Sequence, residues 1–152
     1  MNEEILTRVA TMADTNSLVE FNQAMAFETE RKYLDAQVLQ SGVEAVLRDE
    51  RKGFYAVAES EGKIVGGLMV TFEWSDWRDK WFWWIQSVYV LPEKRGRGVY
   101  RRLYEFVKHQ AQMRRDVCGF RLYVERENAA AQGVYEKLGM AESHYLMFEE
   151  ML

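Results

Sequence analysis

The chain has 152 residues, of which 48% are hydrophobic and 29% are charged, and its formal net charge is −4. This length and composition predict one folded domain, residues 1–152, and exclude a disordered chain, while the single cysteine excludes an internal disulfide framework. Because the N-terminal segment lacks the apolar core of a signal peptide, and the most apolar stretch, Trp81–Leu91, is shorter than the roughly 20 residues of a bilayer span, we expect a cytoplasmic protein without a membrane partner.

The first third of the chain predicts one strand and two helices. Ile5–Thr11 alternates apolar and polar residues, as a half-buried strand does. Asp14 is the predicted cap of a first helix that ends near Phe27, and residues 27–35 are predicted as an acidic loop. Asp35 is the predicted cap of a second helix. Its apolar residues recur at helical spacing: Val38, Leu39, Val43, Val46 and Leu47.

From Gly53 onward the apolar period is that of strands. Residues 53–60 and 63–74 flank a Glu61-Gly62 turn and predict a β-hairpin. A long buried strand follows at residues 81–91.

The last third returns to helices and strands in alternation. Val99 begins a predicted amphipathic helix of about 17 residues. A short strand is predicted at residues 119–124, a helix between Asn128 and Gly139, and one or two closing strands in residues 140–151. The predicted order is βααβββαβαβ, an α/β fold with a mixed central sheet flanked by helices.

The charges are segregated along the chain. Residues 94–115 contain eight basic residues and one acidic residue, a net +7, and the other 130 residues carry −11. A basic segment on an acidic body indicates one site for an anionic ligand, with a solvated helix face as the alternative. A nucleic-acid partner is disfavoured, because the acidic body repels phosphates and the isoelectric point of about 5.3 is far below that of such binders.

The basic segment includes the turn between the long strand and the next helix. Gly96 and Gly98 lie in this turn, whose N–H groups, together with the helix N-terminus, suit a pyrophosphate. Four arginines, at positions 95, 97, 101 and 102, surround the turn with positive charge. The spacing matches neither a Walker A loop nor a dinucleotide-binding fingerprint, since Arg101 stands where the third glycine belongs.

Two segments resemble motifs A and B of the GCN5-related N-acetyltransferases, the GNAT superfamily, in a manner distantly similar to its spermidine/spermine-type members. Motif A has Arg or Gln, two residues, Gly, one residue, then Gly or Ala. Arg95 and Gly98 match it, and Tyr100 departs from it. Residues 127–140 resemble motif B, with Asn128 seven residues before Tyr135.

The resemblance implies an acetyl-CoA-dependent N-acetyltransferase with a small-molecule or amino-acid-like amine as acceptor. Backbone groups of Val88 and Val90 would pair with the pantetheine, and Tyr135 would donate a proton to the leaving thiolate. The oxyanion would lie near the Val88 N–H. The residues implied to bind the cofactor are Val88, Tyr89, Val90, Arg95, Gly96, Arg97, Gly98, Val99, Tyr100, Arg101, Asn128 and Ala131.

The general base is not marked by the motifs. Relatives carry carboxylates where this chain has Gln86 and Ser87. Our hypothesis is that Glu28 and Glu73 select or deprotonate a cationic amine. The candidate acceptor-site residues are Glu28, Glu30, Trp74, Trp84 and Gln86.

Several alternatives stay open at this point. All five tryptophans lie between Trp74 and Trp84, where they predict core, pocket walls or a homodimer surface. Peptide or protein N-acetylation is a second activity, and a non-catalytic CoA-binding module is a third possibility. No residue cluster has metal-ligand spacing, so no metal is predicted.

Overall fold

The computed structural model describes residues 3–152 and contains one five-stranded mixed sheet. The strands lie in the order β1-β2-β3-β4-β5, antiparallel throughout except that β4 and β5 are parallel. Their bounds are β1 Leu6–Val9, β2 Phe54–Ser60, β3 Lys63–Ser75, β4 Lys80–Val90 and β5 Val117–Arg121. The predicted fold class, a mixed sheet with flanking helices, is confirmed.

Four α-helices accompany the sheet. They are α1 Thr15–Glu30, α2 Ala36–Arg48, α3 Val99–Arg114 and α4 Ala129–Lys137, and short 3-10 turns lie at Met12–Asp14 and Pro92–Lys94. The predicted cap of α2 is confirmed, because the Asp35 carboxylate accepts hydrogen bonds from the N–H groups of Gln37 and Val38, both at 3.0 Å. None of the helices within residues 3–152 combines the length and apolar character needed to cross a bilayer.

The two ends of α1 differ from the prediction. The Asp14 side chain does not cap the helix, because Arg8 and the Thr11 N–H bind both of its oxygens. The helix also continues to Glu30 and ends at Arg31, which takes the left-handed conformation with φ 54°. Residues 28–30 contain no helix breaker, so Glu28 and Glu30 lie on the last turn of α1 and not in a loop.

The helices of the first part of the chain cover both faces of the sheet. Leu18 of α1 and Val43 of α2 pack with Tyr55 and Val57 on one face, which we call the α1 face. Helix α3 packs on the opposite face, which we call the α3 face, and buries Leu103 completely.

A β-bulge interrupts the regular alternation of β4. The β3–β4 pairing passes from Met69–Gln86 to Gly67–Tyr89, so β4 has one extra residue opposite this part of β3. Ser87, inside the bulge, has φ 50°. The bulge turns the Tyr89 ring to the α1 face, where its centroid lies 5.2 Å from that of Phe21.

The contacts of the chain form two compact units, the first ending at Leu122 and the second comprising Tyr123–Leu152. In the second unit, α4 ends in a Schellman motif. The N–H groups of Gly139 and Met140 donate to Glu136 and Tyr135, both at 3.0 Å, and Gly139 has φ 99°.

The closing strand expected after α4 is absent. Residues 141–152 are irregular. The apolar side chains that suggested a strand are exposed: Tyr145, Leu146, Met147 and Phe148. Strand-like composition alone supplies no partner for the backbone N–H and C=O groups, and without a partner a strand does not form.

Candidate active site

The predicted anion-binding turn is formed between β4 and α3. Gly96 and Gly98 have φ values of 73° and 79°, which L-residues rarely adopt, and Gly98 immediately precedes the helix. The Arg102 N–H donates to the Gly98 carbonyl at 3.1 Å and closes the first turn of α3. The N–H groups before it, from Val99 to Arg101, have no acceptor within the helix and form the positive end of its dipole.

The end of β4 presents backbone groups on the side away from β3. The Leu91 N–H donates to the Val65 carbonyl of the neighbouring strand β3 at 2.9 Å, so the groups of Val90, and by alternation those of Val88, point the other way. The pairing of β4 with β5 ends at Trp84 within the described residues. The strand edge at Val88 and Val90 therefore has the geometry to bind a peptide-like arm.

Arg95 links the anion-binding turn to the last turn of α1. Its Nε donates to the Val90 carbonyl at 2.9 Å, and its Nη2 donates to Glu28 Oε2 at 2.9 Å. The other Glu28 oxygen accepts a hydrogen bond from the Tyr89 hydroxyl, also at 2.9 Å. Arg95 thus shapes the turn from its side, and Glu28 is part of that same contact.

The environment of Glu28 fixes its protonation state. Burial acts to raise the pKa of the Glu28 carboxyl, but the hydrogen bonds from Arg95 and Tyr89 outweigh burial and lower the pKa below its usual value. Burial and the contact with Glu28 raise the pKa of the Tyr89 phenol. Glu28 is therefore ionised at neutral pH while Tyr89 keeps its proton.

The four arginines around the turn do not all have the same role. Arg95 binds Glu28, and Arg97 lies 3.6 Å from Glu3, a carboxylate that Lys94 and Ser60 also contact. Arg101 and Arg102 are exposed on the first turn of α3.

Within residues 3–152, no group of three or more His, Cys, Asp or Glu side chains is placed to hold a metal ion.

Tyr100, the departure from motif A, is turned toward the body of α3. Its ring centroid lies 6.3 Å from that of Tyr104, one helical turn later, and the residue is half-buried. The backbone N–H of Tyr100 remains in the first turn of the helix. The tyrosine side chain therefore packs along α3, and the motif position still presents its amide.

The candidate acceptor residues on β3 and β4 form a row on the α1 face. Gln86 Nε2 donates to Thr71 Oγ1, and Trp84 Nε1 donates to Glu73 Oε1 at 3.3 Å. Glu73 Oε1 also accepts a hydrogen bond from Arg121 Nη1. The row brings three of the predicted residues together and adds Thr71 and Arg121 to them.

Trp74 does not belong to this row. It pairs across the strands with Trp81, with ring centroids 4.9 Å apart, on the face opposite to that of Glu73. Trp74 and Trp84 thus point to opposite faces and cannot line one pocket. Glu30, at the end of α1, has its carboxylate 3.6 Å from Lys32 Nζ.

In the second unit, the motif B residues form the start of α4. The Asn128 side chain caps this helix by accepting a hydrogen bond from the Ala131 N–H at 3.1 Å. Tyr135 is half-buried on the same helix, and burial raises the pKa of its phenol. The phenol is therefore protonated at neutral pH, as a proton donor must be.

Two contacts in the site are hardly indicated by the sequence. Arg121 belongs to no motif, and its only signal is that it ends a short strand predicted next to the long one. The contact of the Tyr89 hydroxyl has no local signal, because its partner Glu28 is 61 residues away in the chain.

Comparisons with known proteins bear on the family and the fold of the chain. Residues 15–140 match the model of the acetyltransferase (GNAT) family. The chain is similar to the structure of a possible acetyltransferase from Clostridium difficile 630, with 45% identity over 99% of both chains and a TM-score of 0.90. No curated protein matches it significantly.

More distant structures share the fold. A predicted acetyltransferase from Clostridium acetobutylicum, solved with acetyl-CoA, is 18% identical over 96% of both chains, with a TM-score of 0.77. A transcriptional regulator from Bacillus halodurans C-125 is 22% identical, with a TM-score of 0.82 over 97% of this chain and 100% of that one. The family model and the 45% identical structure together confirm the resemblance, and the chain belongs to the GNAT acetyltransferase family.

Proposed function

We propose that the protein transfers an acetyl group from acetyl-CoA to the primary amine of a small-molecule or amino-acid-like acceptor. The observation that carries this proposal is the pairing of an anion-binding turn with an open strand edge at Val88 and Val90, in a member of the GNAT family. The turn suits a diphosphate, and the strand edge suits the amide groups of pantetheine. Both features fit acetyl-CoA as co-substrate, which supplies the acetyl thioester.

The proposed contacts follow the motifs. The N–H groups from Gly96 to Arg101 bind the diphosphate, and the backbone of Val88 and Val90 binds the pantetheine. Asn128 and Ala131, at the start of α4, are proposed as further cofactor contacts on the strength of motif B.

The proposed chemistry includes two proton transfers, one to Glu28 and one from Tyr135. The amine nitrogen attacks the thioester carbonyl, whose developing negative charge is stabilised by the Val88 N–H. Glu28, ionised and next to Tyr89, accepts the proton that the amine loses, directly or through one water. The carbon–sulfur bond breaks, and Tyr135 gives its proton to the leaving thiolate.

Acetyl-CoA is expected to raise the melting temperature. At 100 times its Kd a ligand adds about 2.7 kcal/mol to the free energy of unfolding, which for a chain of this size is a shift on the order of 5–10 °C. The measurement is a thermal melt with and without acetyl-CoA, with NaCl matched for ionic strength as the control. The absence of a shift at millimolar acetyl-CoA would contradict the proposed function.

A second candidate activity is transfer to the amine of a peptide. One observation favours it: the ion pair between Glu73 and Arg121 lies beside Phe82 and Trp84 of β4, six and four residues before Val88. An acceptor that contacts both this ion pair and Val88 must be as long as an extended peptide. That distance also separates the roles of the two glutamates, because Glu28 lies near the proposed transfer point and Glu73 does not.

A further inference from the structure

A half-exposed cluster of charged and aromatic side chains lies on the α1 face where β3, β4 and β5 run side by side. It consists of Glu73, Phe82, Trp84 and Arg121, and we call it the distal cluster. Glu73 pairs with Phe82 across β3 and β4, and Trp84 pairs with Arg121 across β4 and β5. The contacts among them show that all four side chains share one face of the sheet.

Arg121 is the centre of the distal cluster. Its Nη1 donates to Glu73 Oε1, and its Cζ lies 3.7 Å from the centroid of the Phe82 ring. The Trp84 indole donates to the same Glu73 oxygen, so the carboxylate is held in place from two sides. The Arg121 side chain nevertheless stays 32% exposed. A guanidinium has five N–H donors in a planar fork, so one contact with Glu73 leaves most of its donors for a ligand.

A second arginine lies over the same aromatic ring. Arg78, in the exposed turn between β3 and β4, places its Cζ 5.0 Å from the centroid of the Phe82 ring. The same turn also carries Asp76, Asp79 and Lys80, so that together with Glu73 the charges at this end of the sheet balance. A carboxylate would therefore be held by the N–H donors of the guanidinium groups and not by a net positive charge. Paired and stacked guanidinium groups are well suited to a carboxylate, which they bind through two parallel hydrogen bonds.

The distal cluster is remote from the point of acetyl transfer. A strand rises about 3.3 Å per residue, so Trp84 and Phe82 lie roughly 13 and 20 Å from Val88 along β4. Neither Glu73 nor Arg121 can exchange a proton with an amine at Val88 over that distance. The same distance equals about four to six residues of an extended peptide.

We propose that the distal cluster is an acceptor subsite in which Arg121 binds a carboxylate of an extended, peptide-like acceptor. The reacting amine of that acceptor lies about four to six residue lengths from the carboxylate. Glu73 is a positioning residue, because it holds the Arg121 guanidinium against the Phe82 ring and takes no part in proton transfer. This inference rests on the proposed function in its second form, transfer to the amine of a peptide, and it takes Val88 as the transfer point.

The test uses pairs of synthetic peptides with a free N-terminal amine. In each pair, glutamate at position five, six or seven is replaced by glutamine. The measurement is kcat/KM with acetyl-CoA, followed by thiol release. We expect a preference for one of the glutamate peptides of about 10–100-fold, the size of a charge-assisted hydrogen bond at a partly exposed site.

Variants of the distal cluster assign that preference to Arg121. Arg121→Met is expected to bring the ratio of the two kcat/KM values to about one. Arg121→Lys keeps the charge without the planar fork and is expected to retain part of the ratio. Glu73→Gln is expected to lower the ratio as well, because the guanidinium loses its fixed position.

The matched control is Arg114→Met. Arg114 also combines a carboxylate partner, Asp116 at 3.1 Å, with an aromatic ring, Trp83 at 5.9 Å, but on the α3 face. Its replacement is expected to leave the ratio unchanged. Equal turnover of both peptides by the parent protein, or a preference that survives Arg121→Met, would overturn the inference and leave the proposed function standing.

Failure of the proposed function has a different signature. In that case acetyl-CoA does not raise the melting temperature and neither peptide is acetylated. If acetyl-CoA binds but no peptide of the set is acetylated while a small amine is, the protein is an acetyltransferase and the peptide-like acceptor is wrong.

Discussion

Replacing Tyr135 with phenylalanine is expected to lower kcat by about 10²–10⁴-fold, the usual contribution of a general acid. The variant keeps the aromatic ring, so the packing of α4 is retained and only the hydroxyl is lost. The melting-temperature shift with acetyl-CoA should be unchanged, because the backbone groups proposed to hold the cofactor are intact. The measurement is kcat at saturating acetyl-CoA and amine, with the thermal shift determined in parallel.

Tyr145→Phe is the matched control for this prediction. Tyr145 lies in the same unit of the chain but is 65% exposed in an irregular segment, so its hydroxyl should be dispensable.

Because burial raises the pKa of the Tyr135 phenol, kcat should show no loss of the acid form below about pH 10, the ordinary value for tyrosine. A Tyr135→Phe variant as fast as the parent would show that the thiolate leaves without this donor.

A methyl group at Gly66 is expected to reduce both stability and cofactor binding. A Cβ built on Gly66 would lie 2.9 Å from Val99 Cγ1 and 3.1 Å from the Tyr89 carbonyl oxygen. Val99 is the first residue of α3, so the added methyl group pushes on the helix N-terminus that we propose binds the diphosphate. We expect Gly66→Ala to lower the free energy of unfolding by about 1–3 kcal/mol, as overpacking does. The corresponding fall in melting temperature is roughly 3–10 °C.

The measurement is a thermal melt together with a titration of acetyl-CoA. Gly42→Ala is the control, because a Cβ at Gly42 meets nothing within 4 Å and the residue lies inside α2. That variant should raise stability by about 0.5–1 kcal/mol, since alanine favours a helix over glycine. If Gly66→Ala binds acetyl-CoA with unchanged Kd, the start of α3 does not depend on this close approach.

The parts of the site that depend on local geometry were predictable from the sequence. Gly96 and Gly98 mark the turn because their positive φ values favour glycine, and Asp35 marks the start of α2 because its carboxylate binds the next N–H groups. Such signals act over a few residues, and the chain around them is sufficient to interpret them. The cofactor half of the site is of this kind.

The acceptor half depends on contacts between distant parts of the chain. The partners of Glu28 are 61 and 67 residues away, and Glu73 meets Arg121 over 48 residues. The strand register decides which side chains share a face, and it is not visible in the order of Trp74 and Trp84. The length of α1 also differs from the prediction. The acidic composition of residues 27–35 predicts a loop, but no residue among 28–30 breaks a helix.

The bulge at Ser87 reverses the parity of β4. Before the bulge, the side chains on the α1 face are the even-numbered Phe82, Trp84 and Gln86. After the bulge, it is the odd-numbered Tyr89 that lies on this face. Because of this one extra residue, the side chains on the α1 face have even numbers before Ser87 and odd numbers after it. Deleting Ser87 would restore regular alternation without exchanging the faces, because Gln86, Val88 and Tyr89 would then follow one another as in a regular strand. What the deletion would remove is the left-handed kink beside Val88.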